Sequence, residues 1–91
     1  MPYMLCRNRV ADFATWKTVF ASHKAAHLAA GLRLVSIWRS VEEPNHAFFM
    51  FEVADLDKAK RFIGNPEAAK AGEASGVLEG EYQFVEDVGG Y

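Results

Sequence analysis

The sequence predicts an α+β fold in which helices cover one face of a four-stranded antiparallel sheet. Four stretches rich in β-branched and aromatic residues are separated by polar or glycine-containing turns, which is typical of strands. Amphipathic helical segments follow the first and the third stretch, in the order β, long α, β, β, α, short α, β. A chain of 91 residues is enough for one small domain, spanning residues 1–91.

The composition excludes several classes of protein. With 51% hydrophobic residues the chain is far from the disordered class, and no run approaches the roughly 18 apolar residues of a membrane span. Ten basic and 12 acidic residues give a net charge of −2, which disfavours a nucleic-acid partner. The N-terminus lacks the pattern of a secretion signal, and a single cysteine fits a reducing compartment, so we expect a cytoplasmic protein without a membrane partner.

The first strand is predicted over Pro2 to Val10, and one long helix over Asp12 to Gly31. Asp12 is a suitable N-cap, and Gly31 can end the helix with a positive φ. At 100° per residue, one stripe of this helix carries its large apolar residues together with two histidines. The stripe consists of Phe13, Trp16, Val19, Phe20, His23, Ala26, His27 and Ala30.

Two further strands are predicted over Leu32 to Val41 and over His46 to Val53, with a polar turn at Pro44 between them. Because side chains alternate along a strand, both faces of the third strand are largely apolar. One face carries Ala47, Phe49, Phe51 and Val53, and the other carries His46, Phe48, Met50 and Glu52.

The C-terminal third is predicted to contain two helices and the last strand. Asp55 caps a helix that ends at Gly64. Asn65 and Pro66 then begin a short, alanine-rich helix, since proline is favourable at the first helical position. The fourth strand is expected over Glu81 to Val88.

This order of elements fits a ferredoxin-like βαββαβ layout, in which the helices lie on one face of the sheet. The opposite face would then expose an apolar patch larger than soluble monomers usually carry, so we expect a homodimer formed through the sheet faces. The candidates for this patch are Leu34, Trp38, Phe48, Met50, Tyr82 and Phe84.

The chain resembles small bacterial members of the dimeric α/β-barrel superfamily, which includes antibiotic biosynthesis monooxygenase-like enzymes. The residues that carry the resemblance are Asp12, Trp16-Lys17, Phe20, His23 and Gly31-Leu32, Trp38-Arg39-Ser40 with Glu43-Pro44-Asn45, the strand Phe48 to Val53, Ala59 with Phe62, and Gly76-Val77. The resemblance implies a dimer of sheets with a pocket in each subunit between sheet and helices. The superfamily includes cofactor-independent oxygenases, polyketide cyclases and haem-active enzymes, and no defined catalytic motif of theirs is matched here.

His23 and His27 are the candidate catalytic residues, because they lie one turn apart on a helix and histidine titrates near neutral pH. Either could instead pack at the edge of the stripe and bond to a backbone carbonyl or water. The spacing also suits two metal ligands, but a third would have to come from His46, Cys6 or Glu52, and we expect no metal or cofactor.

A ligand pocket is predicted beneath the first helix, where aromatic side chains suit a flat apolar molecule. The predicted ligand-binding residues are Trp16, Phe20, His23, His27, Phe49 and Phe51. Arg33 and Arg39, expected on one strand face, could meet a carboxylate or phenolate, or pair with Glu42, Glu52 or Glu86. The sequence thus indicates a dimer that binds a small apolar or aromatic molecule. One function that fits this dimer is that of a cofactor-independent monooxygenase or cyclase-type enzyme. The alternative is a non-enzymatic ligand-binding or structural dimer whose pocket is filled by its own aromatic residues.

Overall fold

The computed structural model describes residues 1–91 and has the predicted ferredoxin-like α+β architecture. One antiparallel sheet has the strand order β2-β3-β1-β4, with helices packed on one of its faces. In chain order the elements are β1 (Pro2–Val10), α1 (Phe13–Ser22), α2 (Lys24–Ala29), β2 (Leu32–Arg39), β3 (His46–Val53), α3 (Leu56–Ile63), α4 (Pro66–Ala74) and β4 (Val77–Glu86). No helix is long and apolar enough to cross a membrane.

The alternation predicted for β3 is confirmed by its burial. Ala47, Phe49, Phe51 and Val53 are buried, whereas the four residues that alternate with them are half-buried on the other face. The face that packs against the helices is called the covered face here, and its opposite is called the open face. The core lies between the covered face and the helices and consists of Met4, Cys6, Val10, Trp16, Ala30, Leu32, Ala47, Phe49, Phe51, Val53 and Ala59.

The predicted single helix from Asp12 to Gly31 is wrong, because the helix breaks at His23 into α1 and α2. His23 adopts φ −97° and ψ 12°, and its backbone N–H donates to Phe20 instead of continuing the i to i−4 ladder to Val19. The carbonyl oxygen of Val19 accepts from the hydroxyl of Ser22 and from the His23 ring instead. Side chains that replace a backbone donor in this way are a recognised cause of helix kinks.

The predicted caps are confirmed. The carboxylate of Asp12 accepts from both the N–H and the hydroxyl of Thr15, and Asp55 and Asn65 cap α3 and α4 in the same manner. Gly31 has φ +74°, the left-handed conformation that allows the chain to pass directly into β2.

The last strand starts four residues earlier than predicted, at Val77, because Gly76 at φ +85° turns the chain from α4 straight into the sheet. Val77 pairs with Val10 next to a register shift in β1. The register places Tyr82 opposite Cys6 and Phe84 opposite Met4, so both aromatic residues lie on the covered face and not in the exposed patch.

β2 ends at Arg39 and not at Val41 as predicted. A register shift within this strand also contradicts the expectation that Arg33 and Arg39 lie on one face. Between Leu34 and Ser36 the pairing with β3 slips by one residue, which reverses the faces of the residues that follow. Arg33 therefore lies on the open face beside Glu52, at 3.8 Å. Arg39 lies on the covered side, with its guanidinium 5.3 Å from the ring centroid of Phe13.

Candidate functional site

A cavity of about 1,040 Å³ lies between the covered face of the sheet and the helices. Its wall combines residues of all four strands with residues of all four helices, and most of them are hydrophobic. Sites of several hundred Å³ with mostly apolar walls and a few polar groups are typical of small-molecule binding. The cavity is therefore the candidate functional site.

All six residues predicted to bind a ligand line this one cavity: Trp16, Phe20, His23, His27, Phe49 and Phe51. They come from three separate elements, α1, α2 and β3, together with the break between the two helices. The chain thus brings together side chains up to 35 positions apart, from Trp16 to Phe51.

The aromatic residues form a continuous floor. Trp16 is the largest fully buried side chain, at 1% exposure, and its ring centroid lies 5.0 Å from that of Phe20 and 5.5 Å from that of Phe49. Phe20 also contacts Phe51, at 6.0 Å between centroids. Aromatic pairs at these separations stabilise a fold beyond the burial of their area. The floor is therefore part of the core as well as a wall of the cavity.

His23 has one ring nitrogen committed to the backbone. Its Nδ1 lies 2.8 Å from the carbonyl oxygen of Val19, and since a carbonyl only accepts, Nδ1 carries the proton in this contact. The Nε2 atom is then the unprotonated nitrogen of the neutral ring. This is the backbone-bonded arrangement that the sequence left open for these histidines, and it fixes the helix break.

His27 is held by packing instead. Its ring centroid lies 4.9 Å from Phe20, 5.1 Å from Phe51 and 5.9 Å from Phe62, and no protein group hydrogen-bonds to either ring nitrogen. The pKa of His27 is lowered from its ordinary value, chiefly because burial disfavours the imidazolium and secondly because His23 is close. His27 therefore presents a neutral imidazole to the cavity at pH 7.

Several wall residues were not predicted. Asn8 lines the cavity, and its side-chain amide has no hydrogen-bond partner in the protein. Alternation along β1 from Met4 and Cys6 is the sequence signal that could have predicted this position. A Cβ atom on Gly80 would lie 2.7 Å from Asn8 Oδ1, so the glycine leaves room for this amide. Lys58 and Arg61 of α3 are exposed and also line the cavity.

Cys6 also lines the cavity, but it is not a nucleophile. Burial raises the pKa of its thiol to about 12, so the reactive thiolate does not form near neutral pH. Cys6 is thus a small buried residue of the core.

Of the three further metal ligands considered from the sequence, Cys6 lines the cavity with the two histidines, whereas His46 and Glu52 do not. His46 and Glu52 lie on the open face, and His46 stacks on Phe48 at 4.5 Å between centroids. No group of three or more His, Cys, Asp or Glu side chains is arranged to hold a metal ion.

The fold and the cavity together define a ferredoxin-like α+β protein with a ligand-sized space between sheet and helices. The sequence matches no family model and no curated protein. Solved structures with the same fold include a provisionally assigned antibiotic biosynthesis monooxygenase from Bordetella bronchiseptica, with a TM-score of 0.78, 15% identity and 96% of each chain covered.

Two further structures illustrate the range of proteins that share the fold. SnoaB, a cofactor-independent oxygenase from Streptomyces nogalater, matches with a TM-score of 0.70 and 19% identity over 98% of this chain and 94% of its own. An uncharacterised NIPSNAP domain protein from Burkholderia xenovorans matches with a TM-score of 0.68 and 12% identity, over 97% and 95%. The resemblance noted in the sequence is thus confirmed for the fold.

Proposed function

We propose that the protein is a homodimer whose cavity, one in each chain, binds a small and largely aromatic molecule. We further propose that it acts on this molecule as a cofactor-independent monooxygenase or cyclase-type enzyme. The observation that carries the proposal is the cavity of about 1,040 Å³ with His27 in its wall. SnoaB, which has the same fold, is a cofactor-independent oxygenase and supports this choice of chemistry.

In the proposed reaction His27 is the general base. A neutral, partly desolvated imidazole with no protein partner is able to take a proton from an acidic C–H group of a bound aromatic ketone. The resulting carbanion is electron-rich enough to be oxidised by O₂. Overall, a methylene group and one O₂ become a ketone and one water, so both C–H bonds are broken and O₂ is the oxidant. His23 is the second candidate for the general base, and only its Nε2 atom is available because Nδ1 donates to the carbonyl of Val19.

The alternative function is ligand binding without catalysis. It is favoured by one specific observation, namely that no second side chain hydrogen-bonds to His27 to orient its ring as a base. A catalytic histidine is commonly oriented by a third group. The purely structural alternative, with the pocket filled by its own aromatic residues, is disfavoured by the volume of the cavity.

Anthrone, an aromatic ketone with an acidic methylene group, tests the enzymatic proposal. We expect wild-type protein to consume one O₂ for each anthrone oxidised, measured with an oxygen electrode against the uncatalysed rate. The variant His27→Phe keeps the ring packing and should lower the rate by about 10²–10⁴-fold, the usual contribution of a general base. His23→Gln is the matched variant, and a loss confined to it would transfer the role to His23. Anthrone binding without oxygen uptake would favour the alternative.

The proposed dimer forms through the open face. There Leu5 pairs with Met50, and Phe48 lies next to Trp38, so that four apolar side chains form a patch on three adjacent strands. Leu5 is 46% exposed and Trp38 47%. A second copy of the chain would cover this patch by two-fold symmetry, since each copy offers the same surface. Light scattering at micromolar concentration should give twice the mass of 10.1 kDa.

A further inference from the structure

The lining of the cavity includes charged residues, most of them on α3 and α4. Five such residues line it, and the lining set contains no other Lys, Arg, Asp or Glu. They are Lys58, Arg61, Glu67, Lys70 and Glu81. What this charge recognises depends on which of the five are already paired within the protein.

Both acidic residues of the set have partners. Glu81 of β4 pairs with Arg7 on the open face, with its carboxylate 2.7 Å from the guanidinium, and Glu67 lies 4.0 Å from Lys70 on the next turn of α4. Lys58 and Arg61 have no carboxylate within 4.0 Å, and Asp57, one turn before Arg61, does not reach it. The lining therefore retains two uncompensated positive charges.

These two charges lie together because of the sequence of α3. Ala59 is buried in the core, and Phe62 contacts His27 inside the cavity. Lys58 and Arg61 are three positions apart, which makes them neighbours on one side of the same helix. Like charges at this spacing destabilise a helix slightly, so an anion bound between them would remove an unfavourable contact as well as adding favourable ones.

The arginines suggested for substrate binding by the sequence do not fill this role. Arg33 pairs with Glu52 on the open face, and Arg39 lies over Phe13. Neither lines the cavity. The unpaired cations in the lining of the cavity are those of α3.

We propose that the ligand of this cavity is an aromatic carboxylate, with its ring against the aromatic floor and its carboxylate bound by Lys58 and Arg61. This inference rests on the proposed binding function and specifies its ligand class. A planar guanidinium binds both oxygens of a carboxylate, and an ammonium adds a second charge-assisted hydrogen bond. A carboxylate is ionised at pH 7, whereas an unperturbed phenol is not.

The experiment compares 2-naphthoate with 2-naphthamide, two probes of nearly equal shape that differ in charge, by isothermal titration calorimetry at pH 7. We expect 2-naphthoate to bind about tenfold more tightly, which corresponds to about 1.4 kcal/mol. The double variant K58Q/R61Q should reduce naphthoate affinity about tenfold and leave naphthamide affinity unchanged. Lys60 belongs to the same helix and does not line the cavity, so K60Q is the matched control and should change neither affinity.

The possible results separate this inference from the proposed function. If both probes bind equally, or if K58Q/R61Q binds naphthoate as tightly as wild type, the carboxylate inference is wrong while binding in the cavity stands. If neither probe binds at millimolar concentration, the proposed binding function is wrong and the inference falls with it. Added salt provides a second readout, because screening should weaken naphthoate binding alone.

Discussion

The two faces of the sheet carry similar residues and differ in what covers them. On the covered face the aromatic residues of β3 are buried beneath the helices, and yet a cavity remains beside them. On the open face Phe48 and Met50 of the same strand lie beside Leu5 and Trp38, with no element of the chain above them. Alternation along a strand thus determines which residues share a face, whereas the elements that cover that face determine what those residues do.

The charged residues sharpen this contrast. The open face ends in a network in which Arg7 binds Glu79 and Glu81 and donates to His46 Nε2, while Glu43 lies beside His46 and Arg9. Its charges are compensated, as expected of the rim of an interface. The lining of the cavity keeps two free cations, Lys58 and Arg61, as expected of a surface that meets an anionic molecule.

The two tryptophans, one on each side of the sheet, should differ strongly in how their replacement by alanine changes the free energy of unfolding. Trp16→Ala should lower the free energy of unfolding by about 3–5 kcal/mol at every protein concentration, because it removes a large side chain from the core. Trp38→Ala removes a half-exposed side chain, so its cost should be smaller at low protein concentration and should increase at concentrations where the dimer forms. Urea denaturation at several protein concentrations measures both. Equal and concentration-independent losses would contradict the assignment of Trp38 to an interface.

The second prediction concerns the open face alone. Met50→Lys places two unpaired charges in the proposed symmetric interface, one from each copy, and should weaken dimerisation about a hundredfold, or about 2.7 kcal/mol. Analytical ultracentrifugation over a concentration series gives the dissociation constant. Ala21→Lys is the control, because it adds the same charge at an exposed position of α1 that does not line the cavity. A dimer that is unaffected by Met50→Lys would have to form elsewhere.

The third prediction tests the covered face by filling the cavity. Ala26 and Ala25 are both exposed on α2, but only Ala26 lines the cavity. Ala26→Phe should reduce 2-naphthoate affinity about tenfold, or about 1.4 kcal/mol, since its ring occupies space that the probe needs. Ala25→Phe should leave the affinity unchanged. Equal affinities in the two variants would mean that the probe binds outside this cavity.

Much of the fold followed from local patterns, because each of them acts over a few residues. The caps at Asp12, Asp55 and Asn65, the turn at Gly31 and the alternation of β3 were all readable from the sequence. What could not be read depends on contacts between distant elements. The register shift within β2, which separates Arg33 from Arg39, has no signal in a run of strand-forming residues.

In the candidate site, too, the features set by local patterns were predicted and those set by contacts between distant elements were not. Seven of the eight residues in the predicted helical stripe line the cavity, all except Phe13, because a helix turns by a fixed angle for each residue. The break at His23 was missed, since it depends on side-chain bonds to the carbonyl of Val19 that compete with the helical ladder. Lys58 and Arg61 were missed because the cavity they line exists only once α3 packs on the sheet.

The free energy of unfolding should also depend on pH through His27, and this effect should be small. Because burial lowers the pKa of His27 in the folded state, the unfolded chain binds this proton more readily. The free energy of unfolding should therefore be highest above about pH 6.5, the ordinary value for histidine, and fall as the pH decreases towards the lower pKa of the folded state. His27→Phe keeps the contacts with Phe20, Phe51 and Phe62 and should remove this part of the slope. Urea denaturation of both proteins between pH 7.5 and pH 5 measures the difference. A variant with the same slope as wild type would mean that His27 gains its proton equally well in the folded state, and the neutral base proposed for the covered face would then lose its physical support.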